Sequence, residues 1–543
     1  MGSRFNISCV KKLLRQVDWK LVLFLLLFVH VKLVVKIAAV VLMYILRPDT
    51  GFGIKWKNSR LPFFYVLIIG IALADAVVYK SFLSASNTLA VLTGIGFWIL
   101  CLLAVHQVKL SVERNEPAVL HNTVLLFFFV NMVCSLVNIT SIIVETGAIN
   151  PYRFQGNYQK YFISTGDYIK GVSFDTSITN AVINAFAVIY FLIREKVWWL
   201  VASMAVLLLT GSNIICLLLL GMFAGLFIFK SSANQKSLMI ICSAMLVVFF
   251  AKVSPQNNSY FYTGLRNIFF AGKTAAPTAS LPAPPASRIS NSMAAEERRQ
   301  QTALHYLDSL SLLEAVRNPV AAPVEANTKP FIPVPSIHSI PFQRKHDTTP
   351  LQHELAAFAT ANHIPLRSVD PPPGKRVLPG KLTALLEVFS FFQHHPYKLI
   401  QGNGMGNFSS KLAFRTTALD VAGGYPVRYR YICDDFKKNH LALFLSYFTA
   451  DREHHSLANT PSSTYGQLLG EYGLLGLTAF VAFYFGFFLN SYKRLTYGLP
   501  VLLMMGGVFL LDYWFEQLSV VLIFELLLLL NMKEYKYTKP LNV

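Results

Sequence analysis

Side chains able to carry group transfer gather late in the chain. The stretch "HSLANTPSSTYGQLLGEYGLLG" runs from His455 to Gly476; its first half is a polar loop, and its second half slides into an apolar run that takes a carboxylate, Glu471, with it. A histidine titrating near neutrality is the usual general base. His455 stands here with His394, His395, His440 and His454. None has zinc-site spacing, and any one of them alone is more readily a solvated loop residue. Thr460 and Pro461 suit the cap and first position of a helix. Beyond them Ser463, Gln467 and Glu471 share one helical face, while Gly466, Gly470 and Gly473 make a face of bare backbone. A carboxylate in such a helix faces either a polar cavity or a bundle partner; the sequence leaves both open.

A second stretch, "LIQGNGMGNFSSKLAFR" at 399–415, alternates Gly402, Gly404 and Gly406. With no preceding strand it is not a dinucleotide fingerprint. Two readings stand: a turn that offers N–H groups to a phosphate, or one that folds a long loop back. Cations accompany it in the same loops: Arg153, Lys160, Lys170, Arg266, Lys398, Lys411, Arg415, Arg428 and Arg430. Arginine is the preferred partner of a pyrophosphate, because its planar fork is always charged and bidentate.

The elements that must position these residues are helices in a membrane. The chain has 543 residues, 54% hydrophobic and 14% charged, and its repeated long apolar runs exclude an ordinary soluble domain. Apolar segments lie near 21–46, 62–79, 88–106, 118–141, 176–194, 197–210, 213–229, 237–253, 465–490, 498–511 and 518–531. The net charge of +20 is scattered through short connectors, which fits membrane topology and anionic lipid-linked substrates rather than nucleic acid. Arg47, Lys55, Lys57, Arg60, Lys109, Arg114, Arg194, Lys196, Lys230, Lys236, Lys493, Arg494 and Lys533 fall on one side if the helices alternate, and that side is the cytoplasm. The basic N-terminus joins them there if 21–46 bends into a helical hairpin around His30, Lys32 and Lys36. The six cysteines have no metal or redox spacing and read as small apolar residues.

The expected fold is all-α, a polytopic membrane bundle of about 11–12 transmembrane helices with a large outer loop. Residues 1–253 carry the N-terminal helices and a moderate loop near 142–175. Residues 254–464 form the large loop, and 465–543 the last helices and a basic tail. Within the large loop, 271–380 holds most of the 26 prolines and cannot bury a core alone. One amphipathic helix is expected near 294–316, and 381–464 reads as ordered.

The motifs "GNGMGNFSSKLAFR", "HSLANTPSSTYGQLLGEYGLLGLTAF", "YRFQG…GVSFDTSITNAVINAF" and "LLTGSN" together resemble the bacterial O-antigen ligase/polymerase superfamily, over roughly 10–260 and 381–535. The resemblance implies a GT-C-type membrane glycosyltransferase in the bacterial inner membrane. It would move a glycan from undecaprenyl pyrophosphate, at the periplasmic face, onto lipid A-core or a growing polysaccharide, with inversion and without a metal or other cofactor. His455 would be the base, with Glu471 in the helix behind it. Arg153, Arg266 and Arg415 would hold the pyrophosphate, and Gly402, Gly404, Gly406, Asn459 and Ser463 would line the substrate. Two positions depart from the family pattern. Relatives place the histidine where this chain has Ser462 and Ser463, and many carry an arginine where this chain has Asn213. A flippase for the same lipid-linked sugar is the rival reading, and a non-catalytic part of an export complex the third.

Overall fold

The computed structural model describes residues 16–56, 59–147, 149–153, 168–229, 231–254, 350–366, 378–419, 425–449, 457 and 459–538. His454, His455, Arg266, Lys160, Cys9, the expected helix at 294–316 and most of the proline-rich 271–380 lie outside them. Among the described residues every regular element is a helix. Four helical runs, Ala85–Arg114, Pro117–Glu145, Ala233–Val253 and Thr464–Arg494, are long and apolar enough to cross a membrane, and seven shorter apolar helices accompany them.

The first apolar run is a hairpin. Helix α1 (Trp19–Val29) and α2 (Leu33–Leu46) have 11 and 14 residues, about 16 and 21 Å at 1.5 Å per residue, each short of a ~30 Å hydrocarbon core. The bend falls at His30–Lys32 and is tied to the turn before the helix Ser177–Ile193, with Val31 N–H donating to Ser173 O at 2.8 Å. Buried Lys36 holds the bend closed, donating to Phe28 O (2.7 Å) and Ser519 Oγ (2.6 Å).

Next come α3 (Phe64–Val78), α4 (Ala85–Arg114), α5 (Pro117–Thr146), α6 (Ser177–Ile193), α7 (Val197–Leu209), α8 (Asn213–Phe229) and α9 (Ala233–Val248). Local chemistry sets several of their ends. Pro117 opens α5 and Gly147 closes it in the left-handed conformation; Ser232 and Gln235 form a capping box on α9. The ordered part of the large loop supplies α10 (Pro350–Ala361), α11 (Gly380–His394), the short α12 (Lys411–Thr416), and a π turn, Lys437–Leu441, that leads into α13 (Ala442–Thr449). The chain finishes with α14 (Thr464–Ala479), α15 (Gly498–Val508), α16 (Trp514–Gln517) and α17 (Ser519–Thr538).

Two helices are buried on every side and lie at the centre. They are α6, buried from Thr179 to Leu192, and α17, buried from Val520 to Asn531. Around them pack Phe64, Tyr65, Trp98, Phe480, Tyr484, Phe509 and Phe515, all within 3% of complete burial. The one carboxylate of the "VVLIFELLLLLN" run, Glu525, accepts from Tyr65 Oη at 2.5 Å, so it enters the core with a donor.

Candidate functional site: a glycine turn wedged into a broken helix

Helix α14 is interrupted at Gly473, whose φ of 61° and ψ of −159° leave the helical region. A break frees N–H and C=O groups that an apolar surround cannot satisfy. The turn at 399–404 satisfies them. Asn403 N–H donates to Gly470 O (3.0 Å) and Gly404 N–H to Glu471 O (2.9 Å). In return Leu474 and Leu475 N–H donate to Leu399 O (2.9 Å) and Ile400 O (3.1 Å). Gly402 and Gly473 approach so closely that a Cβ on either would strike the other segment's backbone. Two further glycines are sockets: Gly94 of α4 accommodates Met405, and Gly470 accommodates the Phe408 ring.

This overturns the phosphate-loop reading for two of the three turn glycines. The N–H of Gly402 goes to Lys398 O at 2.6 Å and that of Gly404 to Glu471 O, so neither is offered to a ligand. All three have positive φ, from 74° to 84°, which explains their residue type. The Gly406 N–H faces the Glu471 carboxylate, with Phe408 N–H and the Ser410 hydroxyl, and no aligned hydrogen bond closes between them. Glu471 thus faces the turn, not a bundle arginine.

The turn delivers α12. Asn403 and Asn407 clasp each other's backbone carbonyls (Nδ2 to O, 2.8 and 3.0 Å), Tyr431 Oη donates to Asn407 Oδ1 (2.8 Å), and Ser410 caps α12 through Ala413 N–H (2.9 Å). Lys398 is taken up here, against Asn403 Oδ1 (2.6 Å) and Asp435 Oδ2 (2.7 Å). One turn apart on α12, Lys411 and Arg415 share a face. The Arg415 guanidinium lies 5.7 Å from the centre of the Phe97 ring.

Carboxylates from other elements come close to these cations. Glu516 of α16 accepts from Leu412 N–H (2.9 Å) and from Gln467 Nε2 (2.7 Å). Burial pushes its carboxyl up to about 7, against the charges of Arg415 and Lys411 and the Leu412 N–H. Asp512 is likewise pushed up by burial, with Lys411 opposing, and it takes a hydrogen bond from Gln517. Asp175, fixed by Thr179 Oγ1 at 2.9 Å, adds its charge to the same group.

At the start of α14 the cap differs from the sequence expectation. Ser463, not Thr460, is the N-cap, its hydroxyl accepting from Gly466 N–H at 3.4 Å. Thr460 and the Ser462 carbonyl are engaged by Lys381, which donates to Thr460 Oγ1 (3.0 Å), Ser462 O (2.6 Å) and Leu511 O (2.9 Å). Its stem keeps some exposure while its ammonium is enclosed, and burial pushes the amine down to about 7, against the pull of Asp512. The Asn459 carbonyl rests on Gly380 beside it, where no side chain would fit.

Of the residues expected from the sequence, Glu471, Gly402, Gly404, Gly406, Arg415, Asn459 and Ser463 belong to this one assembly. Arg153 ends a turn, Pro151–Arg153, whose Tyr152 bonds to Leu209 O at the end of α7, and its side chain lies outside the described atoms. Lys381, Asp512 and Glu516 were not foreseen. A signal existed for the last two: "LDYWFEQL" puts two carboxylates four residues apart between apolar runs. Comparison of the chain with protein-family models, with curated proteins and with solved structures finds no match to any of them.

Proposed function

We propose that the chain is a membrane glycosyltransferase that moves a glycan from undecaprenyl pyrophosphate to lipid A-core or a growing polysaccharide at the periplasmic face. The observation that supports this most is the paired cations on α12. Lys411 and Arg415 project from one face of a helix whose entry the wedged turn fixes, in a part-buried setting shared with the carboxylates Glu516, Asp512 and Asp175. Cations of that kind suit a pyrophosphate leaving group, whose charge grows as the glycosidic bond breaks. The acceptor hydroxyl then needs only a positioned base, and His455, on the loop that leads to Asn459 and Ser463, is the residue proposed for it. Attack opposite the pyrophosphate inverts the anomeric centre.

The surface glycan of a deletion strain tests this. A core bearing a single repeat indicates a missing polymerase; a bare core with lipid-linked chains stranded on the outer leaflet indicates a missing ligase. Unchanged surface glycan contradicts both. One observation favours the rival, a flippase: a helix broken beside buried carboxylates, Glu471 and Glu516, is how transporters build a midplane site. In that case the lipid-linked glycan accumulates on the inner leaflet instead.

A further inference from the structure

Behind the cation cluster three side chains from three elements stand in line. Ser409 Oγ, at the end of the glycine turn, lies 3.0 Å from His440 Nε2. His440 comes from the π turn Lys437–Leu441, and its Nδ1 lies 3.2 Å from Oε2 of Glu387 on α11. We propose that Ser409, His440 and Glu387 form a second reactive site, a serine nucleophile for carboxylic esters with a short acyl group.

The order of groups is that of a nucleophile, a base and the carboxylate that orients the base, an arrangement recognised by geometry and roles rather than by sequence position. His440 is fully buried, and its ring is held between Phe408 and Phe444, each 5.4 Å away centre to centre. Glu387 beside Nδ1 favours the tautomer with the proton there, which leaves Nε2 free to accept from Ser409. The Glu387 approach is oblique, not yet an aligned hydrogen bond, as is common for such groups before substrate arrives. On its other side Ser409 Oγ has Tyr513 Oη at 3.3 Å, a second polar group for the bound ester.

Space above the hydroxyl sets the acyl length. A Cβ on Gly466 would stand 3.8 Å from Ser409 Oγ, so the bare glycine leaves room for a group about the size of a methyl. Gly466 belongs to the first turn of α14, the end of the helix that carries its positive dipole.

The step balances without any further reagent. Ser409 Oγ attacks the ester carbonyl while Nε2 takes its proton. The tetrahedral adduct then expels the alkoxide, which leaves with that proton as an alcohol, and Ser409 keeps the acyl group. Water or a sugar hydroxyl reverses the sequence and frees the serine. A glycosyl group suits this serine less well, because it would remain as a stable acetal.

The test uses the full chain in lipid nanodiscs with a fluorophosphonate probe, followed by mapping of the labelled peptide. One label per chain is expected, on the peptide holding Ser409, and none in Ser409→Ala. His440→Gln should slow labelling by about 100-fold and Glu387→Gln by roughly 10-fold, the scale of a lost base and of a lost orienting group. p-Nitrophenyl acetate should be cleaved faster than p-nitrophenyl palmitate. The site is refuted by an unlabelled wild type, by a label on another serine, by wild-type labelling in His440→Gln, or by preference for the palmitate. Label mapping in the wild type decides the question even if a variant does not fold.

Discussion

The two ends of the bundle handle charge in opposite ways. At the end that gathers the basic connectors, four arginines meet carboxylates, while Lys533 donates to the carbonyls of Val112, Glu113 and Asn115. Arg47 Nη2 reaches both carboxylate oxygens of Asp18 at 2.8 Å, Arg60 pairs with Glu113, Arg114 with Asp49 at 3.3 Å, and Arg194 with Glu534 at 2.8 Å. At the other end Lys398 also meets a carboxylate, Asp435, at 2.7 Å, but Lys381 and Glu516 take their hydrogen bonds from neutral groups. Lys381 gives its three protons to a hydroxyl and two carbonyls, while Glu516 is held by a backbone N–H and an amide. A buried charge held by neutral dipoles costs several kcal/mol more than a paired one, yet it keeps its field available to a ligand. The first arrangement suits anchoring, and the second end is the place of the proposed transfer.

The largest effect should come from breaking what holds the second end. Gly402→Val puts a branched side chain at a φ of 82° against the backbone of Glu471. A loss of roughly 4 kcal/mol or more is expected in thermal unfolding in detergent. Gly70→Ala, where a Cβ meets nothing within 4 Å, is the control and should not destabilise. A tolerated Gly402→Val would mean the turn is not wedged.

Exchanging the two ends' roles sharpens the comparison. Arg47→Met strands Asp18, in a pair whose side chains are 10% and 4% exposed; about 3 kcal/mol of stability should be lost, with transfer per folded molecule unchanged. Arg415→Gln should do the reverse, lowering transfer roughly 100-fold while thermal stability holds.

Lys381 offers a pH test. Its amine sits at about 7 in the folded chain, below its ordinary value of 10.5. Between those values the unfolded chain binds a proton that the folded chain does not, so this group adds stability as pH rises, by up to about 1.4 kcal/mol per pH unit. Melting curves from pH 6 to 10 should therefore show wild type gaining on Lys381→Met above pH 7. A constant gap would argue against an enclosed ammonium. Smallest of all, Arg114→Ala opens an exposed pair and should cost about 0.5 kcal/mol or less.

Much of the scaffold was legible in the residues, because long apolar runs can only become helices in a membrane. The hairpin was legible too, since His30, Lys32 and Lys36 interrupt a run too short to cross twice. The break in α14 was not. Gly473 shares a face with Gly466 and Gly470 and looks like part of a packing stripe; only the distant turn at 399–404, docked in space, reveals that it ends a helix. Thr460 fits a cap as well as Ser463 does, and the choice was made by Lys381, from another element. Asp512 and Glu516 read as a connector because the partners of Glu516, Gln467 and the backbone of α12, are set by tertiary structure. The site was legible in its residue types and illegible in its pairings.

The most direct measurement is transfer itself. Purified protein in nanodiscs is given a polyprenyl-pyrophosphate-linked glycan and an acceptor, and release of free polyprenyl pyrophosphate is followed. Wild type should release it only when acceptor is present, and the double variant Lys411→Gln, Arg415→Gln, with an unchanged melting point, should be slower by about 100-fold or more. Release at the wild-type rate by the folded double variant, or none by wild type, would contradict the assignment of this end of the bundle to glycosyl transfer.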